Sequence, residues 1–124
     1  MYLVNESDER TTATAAGVMT GLAAPSQGST ELSTWRVRVR AGVEGPVHVI
    51  DREQVWMPVA GSFAITVDGD TARVGAGQAV IVPAGATRQV RAADGPAEAL
   101  VCMPVGGQAT IPGSDDRHRL PWAE

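Results

Sequence analysis

The chain reads as all-β, a single sandwich or barrel, on three observations. Apolar and polar residues alternate with a period of two over 35–40 and again over 63–67, the pattern of a half-buried strand. Strand-like stretches return roughly every eight to twelve residues with Gly, Pro or Asp between them, the spacing of sandwiches and barrels. No segment carries a long helical stripe of apolar residues. The 14 glycines and 8 prolines among 124 residues supply the turns that so many short strands need.

Taken in order, residues 1–33 are small and polar, as in Thr11-Thr12-Ala13-Thr14-Ala15-Ala16-Gly17. They predict an N-terminal arm with short edge strands around Leu3-Val4 and over 18–22. Residues 34–105 form the barrel core. In it Trp35, Val37 and Val39 alternate with Arg36, Arg38 and Arg40, and Phe63, Ile65 and Val67 repeat the alternation. Asp68-Gly69 is a hairpin signal. Ala79-Val80-Ile81-Val82 before Pro83, and Ala99-Leu100-Val101-Cys102-Met103, read as buried strands. Residues 106–124, with Gly106-Gly107, Pro112-Gly113 and Pro121, predict an irregular tail.

Composition narrows function. A net charge of −4 argues against a nucleic-acid partner, which needs basic charge to hold phosphates. Lysine is absent and all ten positive charges are arginines, so Schiff-base chemistry and a P-loop lysine are out. The single cysteine, Cys102, has no partner for a disulfide or a CxxC site. No apolar run approaches the ~20 residues that span a bilayer, so no membrane partner is expected. The segment Met1-Tyr2-Leu3-Val4-Asn5-Glu6 lacks the basic start and apolar stretch of a signal peptide, which makes the cytoplasm the expected compartment.

Against that β pattern the glycines bring out a resemblance. Gly42, five residues, His48, Ile50, Gln54 and Gly61 follow the spacing of the first cupin motif; Gly77, five residues, Pro83, Gly85 and Arg88 follow the second. Over 34–105 the chain resembles a small single-domain cupin, in the company of bacterial polyketide-pathway and other secondary-metabolism cupins. The resemblance implies a double-stranded β-helix, or jelly-roll, barrel. It also implies a homodimer paired through N-terminal strands, which light scattering would decide. The pairing Gly75-x-Gly77 is no dinucleotide fingerprint, since it lacks a third glycine and opens no helix.

The family's metal ligands would fall at His48, Ile50, Gln54 and Arg88. Of these, His48 is an unaltered ligand, Gln54 offers a neutral oxygen, Ile50 offers nothing, and Arg88 brings a permanent positive charge. A degenerate site without a cofactor is the expectation. The alternative is a divalent iron, manganese, nickel, copper or zinc ion held by His48 and Gln54, with waters or Cys102 completing the set.

Strand parity puts His48 and Ile50 on one face and, carried forward, adds Gln54 and Trp56, with Asp51 and Glu53 turned away. Such a pocket suits a small, flat, partly anionic metabolite: Trp56 for a ring face, Arg88 for a carboxylate or enolate, Gln54 for a carbonyl or hydroxyl, with Ile50 and Cys102 as further lining. His48 could then remove a proton next to a carbonyl while Arg88 stabilises the oxyanion, as an isomerase, cyclase or dehydrating enzyme requires. A spectator His48 in a barrel that only binds its ligand stays open beside that reading. Arg36, Arg38 and Arg40 read as a solvated ladder, His118 as surface, and Trp35 and Trp122 as packing or subunit-contact aromatics. Ser62 lies in no GxSxG elbow.

Overall fold

A computed structural model describes all 124 residues. The strands are β1 (Thr11–Thr14), β2 (Gly17–Gly21), β3 (Leu32–Val39), β4 (His48–Ile50), β5 (Gln54–Ala60) and β6 (Ser62–Val67). They continue with β7 (Asp70–Gly75), β8 (Val80–Val82), β9 (Thr87–Ala92), β10 (Ala97–Pro104), β11 (Gln108–Thr110) and β12 (His118–Arg119). Helix is confined to three-residue 3-10 turns at Asp8–Arg10, Pro25–Gln27 and Pro121–Ala123. No helix is long and apolar enough to cross a membrane.

Two six-stranded sheets face each other, one ordered β1-β2-β3-β10-β5-β8 and the other β12-β11-β4-β9-β6-β7. Every pairing is antiparallel, and the strands alternate between the sheets in the manner of a jelly roll. The alternation read from residues 35–39 holds: Trp35, Val37 and Val39 are buried, while Arg36 and Arg38 lie on the outer face. There the two arginines meet Glu6 and Glu98, with nitrogen–oxygen distances of 2.5 to 3.7 Å. The core between the sheets is built on Phe63, Ile65, Val82, Val101 and Met103. Trp56 of β5 meets Phe63 of β6 edge to face, 5.8 Å between ring centroids at 70°, an arrangement that matches the ring quadrupoles.

The turns follow their residues. Asp68 and Gly69 have φ of 48° and 89°, both left-handed, the type I′ geometry whose twist matches a two-residue hairpin. Gly61 sits at φ 64° with its α-carbon against the Pro96 carbonyl, so a side chain there meets both backbone strain and a clash.

Two expectations are corrected. Leu3-Val4 joins no sheet; two apolar residues carry too little strand signal, and the segment is tied down by charge through Glu6 instead. The tail is not irregular throughout. Its Ala109 and Thr110 pair with Ile50 and Val49, and β12 pairs with β11. Beyond them Leu120 and Ala123 are buried. Ser33 Oγ donates to the Ala123 carbonyl at 2.6 Å, and the Ser26 amide donates to the Glu124 carbonyl at 3.0 Å, which fixes the final turn against the first sheet.

Candidate functional site

A cavity of about 690 Å³ lies between the sheets. His48 and Ile50 enter it from β4, Arg88 from β9, and Gln54 and Trp56 from β5. Ladder register explains the meeting. His48 and Arg88 are direct partners across β4 and β9, and antiparallel partners project from the same face. Gln54 and Trp56 are two apart on β5 of the opposite sheet, so they share its inner face.

Arg88 is 3% exposed, and its guanidinium bridges the two sheets. Its Nη2 donates to Gln54 Oε1 at 2.7 Å, and its Nε donates to His48 Nε2 at 3.4 Å. Gln54 Oε1 also accepts the Trp56 indole N–H at 3.0 Å. Both partners are donors only, so the amide oxygen must face them; Nε2 of Gln54 turns to Met103 Sδ at 3.4 Å. Gln54 Oε1 is thus fully used inside the protein. Its place is to hold Arg88, and it has no free carbonyl to offer a ligand.

No carboxylate pairs with Arg88: every ion pair in the chain involves other arginines. Burial without a counter-ion pulls its guanidinium down to about 10, which leaves it charged at neutral pH. Nη1 has no partner in the chain. Ser7 Oγ is the only sealed side-chain polar atom left without a hydrogen bond, so Nη1 opens onto the cavity.

His48 is half-buried, and its Nδ1 lies 2.8 Å from the Pro46 carbonyl. A carbonyl only accepts, so Nδ1 carries the proton and Nε2 presents its lone pair inward. Burial lowers the pKa of His48, the Pro46 hydrogen bond opposes this, and the Arg88 charge lowers it further. The ring is therefore a neutral base at pH 7.

The donor set does not fit a divalent cation. Such ions take three or four protein ligands, and no group of three or more His, Cys, Asp or Glu gathers anywhere in the chain. The two donors expected of a metal site, His48 Nε2 and Gln54 Oε1, both already receive N–H groups of a buried cation.

Cys102 is a correction. On β10 Val101 and Met103 face inward and are 1% exposed, whereas Cys102 alternates to the outer face and lies outside the cavity lining. Conversely, three residues read as surface or packing do line it: Trp35, Trp122 and His118. The last two reach it because the tail folds back, a long-range pairing with no local signal in the sequence.

Over residues 35–103 the sequence matches the cupin domain family. No curated protein matches the chain. Among solved structures it is similar to the polyketide cyclase RemF from Streptomyces resistomycificus, with 20% identity and a TM-score of 0.67 over 82% of this chain and 73% of that one. It is likewise similar to an RmlC-like cupin from Shewanella frigidimarina, with 21% identity and a TM-score of 0.65 over 82% and 83% of the two chains. Oxalate decarboxylase from Bacillus subtilis aligns at 19% identity and a TM-score of 0.69 over 76% of this chain, which spans only 26% of that enzyme's length. At such identities the likeness establishes the fold alone. With the family match covering more than half of its length, the chain belongs to the cupin family.

Proposed function

We propose that this cupin binds a small organic anion and moves a proton on it without a metal, with His48 as the base and Arg88 as the anion-stabilising group. The observation that carries the reading is the buried Arg88, flanked by two neutral acceptors and no carboxylate. Buried charges are normally paired, so an unpaired cation opening onto a largely apolar cavity calls for a carboxylate or enolate from outside.

In the step, a C–H next to a carbonyl gives its proton to His48 Nε2. Its electron pair moves onto the carbonyl oxygen, and Arg88 Nη1 receives the developing charge. Return of the proton to another carbon isomerises the ligand; attack of the enolate on a second carbonyl closes a ring; loss of a β-hydroxyl dehydrates it. The Nε–Nε2 contact is long at 3.4 Å, and an anion that draws the guanidinium toward itself frees the lone pair.

Phenylpyruvate, an enolisable aryl acid, is a suitable probe. In D2O the wild type should exchange its methylene protons, followed by NMR, faster than buffer alone. Exchange should fall about 100-fold or more in His48→Ala while binding persists, and binding itself should fail in Arg88→Met. Exchange unaffected by His48→Ala overturns the base assignment. The Arg88 N–H already resting on His48 Nε2 favours a second reading, a barrel that holds its ligand unchanged. Arg88-dependent binding with no exchange above buffer selects it.

A further inference from the structure

We propose that His118 is a specificity-determining contact at the open end of the Arg88 cavity, and that the ligand is an elongated, rigid aromatic anion with a second polar group opposite its acid. This rests on the anion reading above and adds to it the ligand's length and its second anchor.

The ladder places His118. It pairs with Ala109 across β12 and β11, and Ala109 pairs with Ile50 across β11 and β4. Directly paired residues share a face, so His118, Ala109 and Ile50 form one inward row that starts on the edge strand. His118 itself is exposed and lines the cavity, and outside the backbone ladder its imidazole takes part in no hydrogen bond or ion pair within the chain. Its neighbours are engaged elsewhere: Arg117 meets Asp51 at 3.2 Å, and Arg119 approaches Glu124 at 3.8 Å. Of the tail's ionisable side chains that line the cavity, Arg119 and His118, the one left free is the imidazole.

Between the two polar ends the wall is largely apolar, although Glu44, Gln89 and Thr110 also line the cavity. Ile50, Ala109, Leu120, Trp35 and Trp122 line it, and the indoles offer flat faces for ring stacking. The wall is fixed rather than a flap, because the Trp122 turn is held by the Ser33–Ala123 hydrogen bond. Its Trp122 carbonyl also packs so closely on Gly21 that a β-carbon there would come within 2.8 Å. Three strand steps separate β12 from β9, about 14 Å between backbones at sheet spacing. Side chains reaching inward from both ends leave room for a body of two or more rings. A two- or three-carbon acid would leave most of 690 Å³ empty and could not touch both ends.

Calorimetric titration with 2-naphthoate and 6-hydroxy-2-naphthoate separates the claims. Wild type should bind both and prefer the hydroxylated acid by about fivefold, the worth of one ordinary hydrogen bond. His118→Ala should erase that preference, costing 6-hydroxy-2-naphthoate more affinity than 2-naphthoate, and His118→Asn should restore part of it. Arg88-dependent binding of both acids without a hydroxyl preference, or a preference that survives in His118→Ala, overturns the role of His118 while the anion reading stands. Failure of both acids to bind wild type that still binds phenylpyruvate overturns the inference alone; failure of all three overturns the anion reading with it.

Discussion

On the outer face of β3, Arg36 and Arg38 sit against the carboxylates of Glu6 and Glu98 at 2.5 to 3.7 Å. On the inner face of β9, Arg88 is 3% exposed and touches only an amide oxygen and a neutral imidazole. Water already serves the outer pair, where a salt bridge contributes about 0–1 kcal/mol. Burial makes a partner most valuable at Arg88, and there the chain supplies no anion. A fold selected only for stability would arrange the charges the other way round. The difference marks the inner arginine as a group held ready for something that is not part of the protein.

The largest effect should come from removing that readiness. The fall of the Arg88 pKa to about 10 corresponds to roughly 3 kcal/mol of instability at neutral pH. By linkage, the folded state sheds the proton first, so this penalty is complete below about 10 and eases as pH rises beyond it. Arg88→Met removes it and gives up the charge-assisted hydrogen bonds to Gln54 and His48, about 1.5–3 kcal/mol each. The two terms offset, so the ligand-free variant should melt close to wild type at pH 7 while losing anion binding. A loss as large as the roughly 3–5 kcal/mol that breaking a paired buried ion costs would show that the guanidinium is net stabilising, and the contrast between the two faces would collapse.

The same contrast explains what could be read from the sequence. Where one face meets water and the other the core, charges mark every second residue, as over 35–39, and both the strand and its inward face are legible. Parity then carries His48 and Ile50 to one side, and Gln54 and Trp56 to one side, without any knowledge of partners. Across 99–103 every residue is apolar, no period is visible, and Cys102 could not be assigned to a face from its neighbours. The tail was opaque for another reason. β11 and β12 are three and two residues long, and their existence depends on β4, some sixty residues earlier in the chain. His118 and Trp122 enter the cavity only through that pairing. The counter-ion missing from Arg88 is likewise a property of the assembled site, since the sequence holds 14 acidic residues and only the fold shows that none pairs with it, Glu44 of the same cavity included.

A smaller effect tests the electrostatics inside the cavity. His48 is held below its ordinary 6.5 by burial first and by the Arg88 charge as well. The unfolded chain therefore takes up a proton before the folded one as pH falls. The stability associated with neutral His48 is complete above 6.5 and is lost as pH drops through the folded value. In NMR titrations the His48 ring should appear as the Nδ1–H tautomer and titrate below 6.5, and Arg88→Met should move its midpoint upward. A midpoint unmoved by that substitution would mean the two groups do not sense each other, which breaks the proposed pairing of base and anion stabiliser.

The smallest effect belongs to the outer ladder and sharpens the comparison from its other side. Arg36→Met removes contacts to both Glu6 and Glu98, yet all four side chains of the ladder are partly exposed and water replaces what is lost. Global stability should fall by no more than about 1 kcal/mol, and by less in high salt, which screens such pairs. Anion affinity should not change, since Arg36 lies on the far side of the sheet from the cavity. The effect should instead be local. Glu6, whose carboxyl is held below its usual value chiefly by the Arg36 hydrogen bond, ties down a segment that makes no ladder pairs, so amide exchange over residues 3–7 should quicken. A global loss well beyond 1 kcal/mol, or a weaker anion affinity, would mean that the two faces share one electrostatic task, and Arg88 would no longer stand alone.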